Sequence, residues 1–239
     1  MTEKNEAIEK TQYVTYKAFS YVSGEANLEL RAQREGFDFP TKMWQFIGKN
    51  QLILDIGCGV GTQGKQIKDY GNNKVYGIDV NEDCVNYSKR RIDEARVCNI
   101  NIEPIPYADN MFDLVICFEV LQHIIDWNNL FSEARRVLKP NCKFLIFGLN
   151  FFSFFPKDRL ISMIFNKHYY QGDHNLRLTS PYNVADRLEK FFEPSKIKVN
   201  PKEYRVNGSR TLLGKLAGRL LPQFIFDRAC PHYCIIAEK

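Results

Sequence analysis

From residue 52 onward, short apolar runs alternate with segments whose apolar residues recur every three or four positions. The run LILDI at 52–56 predicts a buried strand, and TQGKQIKDY at 62–70 predicts a helix closed by Gly71 as its C′ glycine. KVYGID at 74–79 predicts a second strand. Asn81 then predicts an N-cap for a helix running to about Ile92, with Glu82 and Asp83 in its first turn. Residues 96–102 and FDLVIC at 112–117 predict strands three and four. In NNLFSEARRVL at 128–138, Leu130, Ala134, Val137 and Leu138 share one helical face. Lys139-Pro140-Asn141 stops that helix before a fifth strand at 143–149.

The flanks are less regular. Tyr13, Tyr16, Phe19 and Tyr21 fall in a stretch, 12–47, that predicts one or two short helices. After residue 150 the segment FFSFFPKDRLISMIFNKHYYQGDHN has no simple period and reads as an insertion. Thr179-Ser180-Pro181 opens a helix with Val184, Leu188 and Phe191/Phe192 on one face, and 196–200 and 233–237 predict two last strands. Strand and helix alternation on this scale predicts an α/β fold: a doubly wound, mostly parallel seven-stranded sheet, helices on both faces, with the insertion after strand five. We expect one domain over 1–239, in parts 1–47, 48–150 and 151–239.

Composition narrows the class. With 44% hydrophobic and 26% charged residues in 239, the chain is that of a soluble globular protein. No apolar stretch reaches a bilayer's span, and MTEKNEAIEK lacks a signal peptide's apolar segment. The seven cysteines contain no CxxC pair, so a cytoplasmic, reducing location is expected. The Cys230-Pro-His232-Tyr-Cys234 cluster lacks partners for a metal, and none is expected. Residues 151–239 carry 15 Lys+Arg against 8 Asp+Glu, an excess suited to a phosphate-bearing substrate, nucleic acid or a membrane face, or to plain solvation.

The chemistry centres on Asp55-Ile-Gly57-Cys-Gly59-Val-Gly61. From Gly59 the chain reads GxGxxG through Gly64, the dinucleotide pattern, so an NAD enzyme has to be weighed. A pyrophosphate turn brings backbone N–H groups to negative charge, and a carboxylate beside it would repel phosphates. Asp55 instead suits a cationic, phosphate-free ligand.

DIGCGVG, then GID at 77–79, then PIPYADNMFDLVICFEVLQHI at 104–124 resembles the class I S-adenosylmethionine-dependent methyltransferases over residues 50–150. DHNLRLTSPYNVADRL resembles their small-molecule members more weakly. The resemblance implies that Gly57, Gly59 and Gly61 wrap the cofactor's methionine part and Asp55 receives its ammonium. It also implies that Asp79 accepts the ribose hydroxyls and Val80 packs on adenine. Asn101 and Ile102 take the adenine edge, with Asn99 two residues away as the other candidate, and Phe118 lies near the sulfonium. It further implies an N-terminal helical lid over 1–47 and acceptor-side segments beyond 150.

The expected reaction is methyl transfer from S-adenosyl-L-methionine to an oxygen or nitrogen of a small metabolite. An oxygen acceptor benefits from a general base, for which His123 and His174 are the catalytic candidates, with His168 beside them. Glu119 and His123 stand i, i+4 apart, the spacing of a catalytic pair on a helix, though a structural hydrogen bond between them is the preferred reading. Asp113 reads as a strand-start residue rather than a base. CFEV after strand four, in place of NPPY or DPPY, disfavours nucleic-acid bases as acceptors. The acceptor is expected to be a small molecule, anionic or lipid-linked. Leu212, Leu213, Leu216, Leu220 and Phe224 recur at helical spacing with Lys215 and Arg219, a pattern for peripheral membrane contact over 212–226. The alternatives are an RNA methyltransferase using the basic C-terminal region and a non-catalytic or membrane-docked cofactor-binding protein.

Overall fold

A computed structural model describes residues 25–33, 41–149, 181–200 and 232–239. Strand β1 (Leu52–Ile56) lies between β2 (Lys74–Asp79) and β4 (Phe112–Phe118), parallel to both. β3 (Glu94–Val97) extends one edge beyond β2, and β5 (Leu138–Leu149) follows β4 on the other side. β7 (His232–Glu238) runs antiparallel between β5 and β6 (Ile197–Asn200). The seven-stranded order is β3-β2-β1-β4-β5-β7-β6, mostly parallel, as the alternation predicted.

Helices α2 (Thr62–Gly71) and α3 (Glu82–Ser88) supply Ile67 and Val85 to one face of the sheet, against Ile53, Val75, Leu114 and Leu145. Helices α4 (Trp127–Val137) and α5 (Pro181–Leu188) cover the other with Leu130, Phe131, Val184 and Leu188, against Leu54, Val115 and Ile146. Neighbours along a strand therefore point to opposite buried faces, which is why the central strands are apolar throughout rather than alternating. Helix α1 (Glu25–Gln33) and a 3-10 turn at Thr41–Phe46 precede β1.

Several boundaries differ from the sequence expectation. α3 starts at the predicted cap, the Cys84 N–H donating to Asn81 Oδ1 at 3.0 Å. It ends at Ser88 rather than near Ile92, because the Arg90 and Arg91 N–H groups turn back onto the carbonyls of Tyr87 and Ser88. β3 occupies 94–97 instead of 96–102: its ladder with β2 ends at Asp79↔Val97, and Ile102 and Glu103 then donate to the Asn99 carbonyl. The left-handed residue closing α2 is Asn72 (φ 54°), while Gly71 stays helical and packs so close to the Gly48 carbonyl that a Cβ would collide with it.

The motif at 104–113 is a structural clip. Arg136 on α4 donates to the Ile105 carbonyl (2.8 Å), the Tyr107 carbonyl (2.9 Å) and Asp109 Oδ1 (2.6 Å). Glu133, paired with Arg136 at 2.7 Å, accepts the Ile105 N–H. Asp113 accepts the Leu52 N–H at 2.9 Å and pairs with Lys139, locking the start of β4 to β1 as its strand-start reading required.

Candidate functional site

The strand order reverses between β1 and β4, and in a doubly wound sheet a ligand sits outside the carboxyl ends of the strands at that point. The structure puts the glycine turn there. Gly57, Gly59 and Gly61 all adopt positive φ (77°, 51° and 74°), a region costly for residues with a Cβ. The Gly57 and Cys58 N–H groups donate back to the Ile78 carbonyl, so the turn is fastened to the exit of β2. A side chain at Gly57 would run into Val120 just past β4, whereas a Cβ at Gly59 meets nothing within 4 Å among the described residues. The turn is thus braced on one side and open at Gly59.

Asp79, the last residue of β2, bridges the turn. Its Oδ2 accepts the Gly59 N–H at 2.9 Å and its Oδ1 accepts the Asn81 N–H at 2.9 Å. The half-buried carboxylate thus ties the glycine turn to the entry of α3.

Asp55, one strand over, is 2% exposed and points beneath α2, its Oδ2 facing Gly64. Among the described residues no donor reaches it. Burial, with the Asp79 charge added, pushes its carboxyl up to about 7. A buried acid beside a second carboxylate, with no donor among the described residues, fits a cation. Burial, then Asp79 and Asp55, likewise hold the Cys58 thiol far above its usual range, which keeps it neutral. Gly61 caps α2 without a side-chain hydrogen bond, at the start of the helix beside the turn.

Val80 (40% exposed) and Ile102 (45%) present apolar surface after β2 and β3. The expectation for Asn101 needs correction. Its Oδ1 accepts the N–H groups of Ile125 (2.7 Å) and Asp126 (3.1 Å), which uses both lone pairs to tether the entry of α4. Asn99 is also engaged, its Oδ1 accepting the Asn101 N–H. Phe118 reaches the same rim, but its ring is buried and stacked on Phe147 with centroids 4.6 Å apart.

Glu119 and His123 do not share a helix. Glu119 turns through φ 56° as β4 ends, its N–H donating to the Phe147 carbonyl, and only Leu121–His123 forms a 3-10 turn. His123 is half-buried at the rim. His168, His174, Cys230, the N-terminal aromatics, the 151–180 insertion and the 212–226 segment lie outside the described residues. The described residues contain no cluster suited to a metal ion and no helix long and apolar enough to cross a membrane. Sequence reasoning does not single out Leu28, Val60 and Cys84, a small buried cluster behind the turn; its one signal is Leu28 and Ala32 at i, i+4.

A family model described as a methyltransferase domain matches residues 54–146, the segment that carries this turn and its two acids. Over this segment the chain is similar to S-adenosylmethionine-dependent methyltransferases. The domain is similar to an uncharacterised protein of Methanocaldococcus jannaschii, 32% identical over 161 residues and covering 64% of each chain. It is 28% identical over 146 residues to phosphoethanolamine N-methyltransferase 2 of Caenorhabditis elegans, covering 58% of this chain and 33% of that one. The chain thus spans less than two thirds of the length of these relatives. Among solved structures, a SAM-dependent methyltransferase from Thermotoga maritima superposes with TM-score 0.64 at 16% identity, covering 94% of this chain and 99% of that one. A phosphoethanolamine N-methyltransferase 2 of Haemonchus contortus, solved with S-adenosyl-L-methionine, gives 0.61 at 18%, covering 100% and 60%. At these identities the methyltransferase structures support the fold.

Proposed function

We propose that the chain binds S-adenosyl-L-methionine and transfers its methyl group to an oxygen or nitrogen of a small-molecule metabolite. The observation that carries this is the pair of acids at the ends of β1 and β2, Asp55 buried with no donor among the described residues and Asp79 fastened to the Gly59 N–H, flanking a backbone turn that the described residues leave open at Gly59. Asp55 takes the cofactor's ammonium, Asp79 the ribose hydroxyls, and Val80 and Ile102 the adenine faces. Asn101 positions the neighbouring loop. When bound, the cofactor supplies a methyl on a positively charged sulfonium.

The residues' contribution is alignment and exclusion of water, which supply most of the barrier reduction for an in-line displacement. Phe118 and Phe147 keep the rim beyond Gly57 apolar. His123 is the described rim histidine able to take a proton from an acceptor hydroxyl; His174 is the second candidate from the sequence.

A small-molecule acceptor is supported by relatives named for such substrates: phosphoethanolamine, sterols and ubiquinone precursors. It is also supported by the absence of a base-methylating NPPY or DPPY motif. The basic excess beyond residue 150 favours an anionic acceptor. We take residues 1–239 as one domain, and the six described free cysteines favour a cytoplasmic setting.

Calorimetric titration with S-adenosylhomocysteine and with NADH tests the cofactor. The expected result is binding of the first and none of the second; the reverse overturns the reading. Incubation with labelled S-adenosylmethionine and phosphoethanolamine, quinone-precursor and sterol acceptors then tests the substrate class.

A further inference from the structure

We propose that Leu28 and Val60 are positioning residues for the cofactor: docking of α1 onto the glycine turn sets the turn's binding geometry. The inference rests on the cofactor reading above and adds a coupling that the reading does not contain.

Val60 stands between two glycines in left-handed conformations, so the turn's shape depends on where its one large side chain is held. That side chain is 3% exposed and belongs to neither of the two cores flanking the sheet. It joins Leu28 of α1 and Cys84 of α3 in a separate cluster, with Ala32 and Tyr87 packed alongside. Arg91 adds a second link. Its Cβ lies 3.6 Å from where a Gly61 side chain would begin, and its Nη1 donates to the Ala32 carbonyl at 3.4 Å. Both ends of α1's docking face, Leu28 and Ala32, therefore reach the residues that shape the turn.

The energetics run in both directions. A nine-residue helix is too short to persist in water by itself, so α1 depends on this contact. A ligand that fixes the turn then favours the docked helix, and a docked helix favours the ligand by the same factor. Leu30, two positions on and so turned away from that face, is 55% exposed and lies outside the cluster.

The test uses the full chain and S-adenosylhomocysteine as the probe. L28A should raise its Kd on the order of tenfold, within the range usual for coupled sites. L28M should restore it, and V60A added to L28A should change it little further, since both remove one contact. The ligand should also slow hydrogen exchange over residues 25–33 in the wild type. A merely structural contact would lower the melting temperature of L28A and leave Kd unchanged; that result overturns the proposal. So do additive effects of L28A and V60A, or exchange at 25–33 that the ligand does not alter. Failure of the wild type to bind S-adenosylhomocysteine would instead remove the cofactor reading, and the coupling with it.

Discussion

Replacing Asp55 by Asn should make the ligand-free protein more stable and a poorer binder of its cofactor. The side chain keeps its shape and loses its charge, at a position that is 2% exposed and receives no donor among the described residues. Its carboxyl is held up to about 7 by burial and by Asp79, against 3.8 for an ordinary Asp. The folded state thus binds the proton more tightly than the unfolded chain. No penalty exists below the unfolded value, and the loss of stability grows as pH rises through the window between the two. A gap of about three units corresponds to about 4 kcal/mol once pH exceeds 7, and to about 1.5 kcal/mol near pH 5. Urea denaturation of wild type and D55N at about pH 3.5, 5 and 8 reads this directly, with the two converging at the acid end. In parallel, D55N should weaken S-adenosylhomocysteine binding at about pH 8, and the difference should shrink toward pH 5, where wild-type Asp55 is itself neutral. A D55N variant no more stable than wild type at pH 8, or one whose gain is independent of pH, would refute the account of this carboxylate.

The remaining expectations concern the turn and its supports. Asp79→Ala should weaken S-adenosylhomocysteine binding by roughly 1.5–3 kcal/mol by calorimetry, and unchanged affinity would mean that the ribose sits elsewhere. Gly57→Ala should destabilise the fold strongly, because its Cβ collides with Val120, while Gly59→Ala should cost only about 1 kcal/mol for its left-handed backbone yet abolish binding; comparable melting temperatures for the two would contradict the geometry. Arg136→Met should lose about 2–4 kcal/mol of stability in urea through the freed carbonyls of Ile105 and Tyr107, with cofactor affinity within about twofold of wild type. His123→Gln should slow turnover of an identified oxygen acceptor and flatten its pH profile without changing S-adenosylhomocysteine affinity, and an unaltered profile would remove His123 as the base.

What could be read from the sequence is what depends on near neighbours. The strands at 52–56 and 74–79, the strand expected at 112–117, which runs one residue further to Phe118, and the Asn81 cap follow from periodicity and local conformational cost, and they stand where the pattern put them. The end of β3 could not be read, because it is set by where β2 stops offering a partner. Asn101 misled for the same reason: its acceptors are used by backbone groups 24 and 25 residues further along, a pairing that only the folded chain creates. The spacing of Glu119 and His123 suggested a helix, but the chain leaves β4 through a left-handed residue, which periodicity does not register. Val60 was hidden because its importance comes from a helix more than 30 positions upstream.

The pairing of β5, β7 and β6 has one more implication. Leu149 lies opposite His232, and Asn200 opposite Cys234, so the chain departs from or rejoins the sheet three times on the very side where Asp55 and Asp79 stand. Each of those points lies at the same end of the sheet as the two acids, although distant from the glycines in sequence. Trading the joining stretches between relatives is therefore a route to new chemistry that leaves the nucleoside socket untouched, and grafts made at Leu149 and His232 are the natural way to look for it.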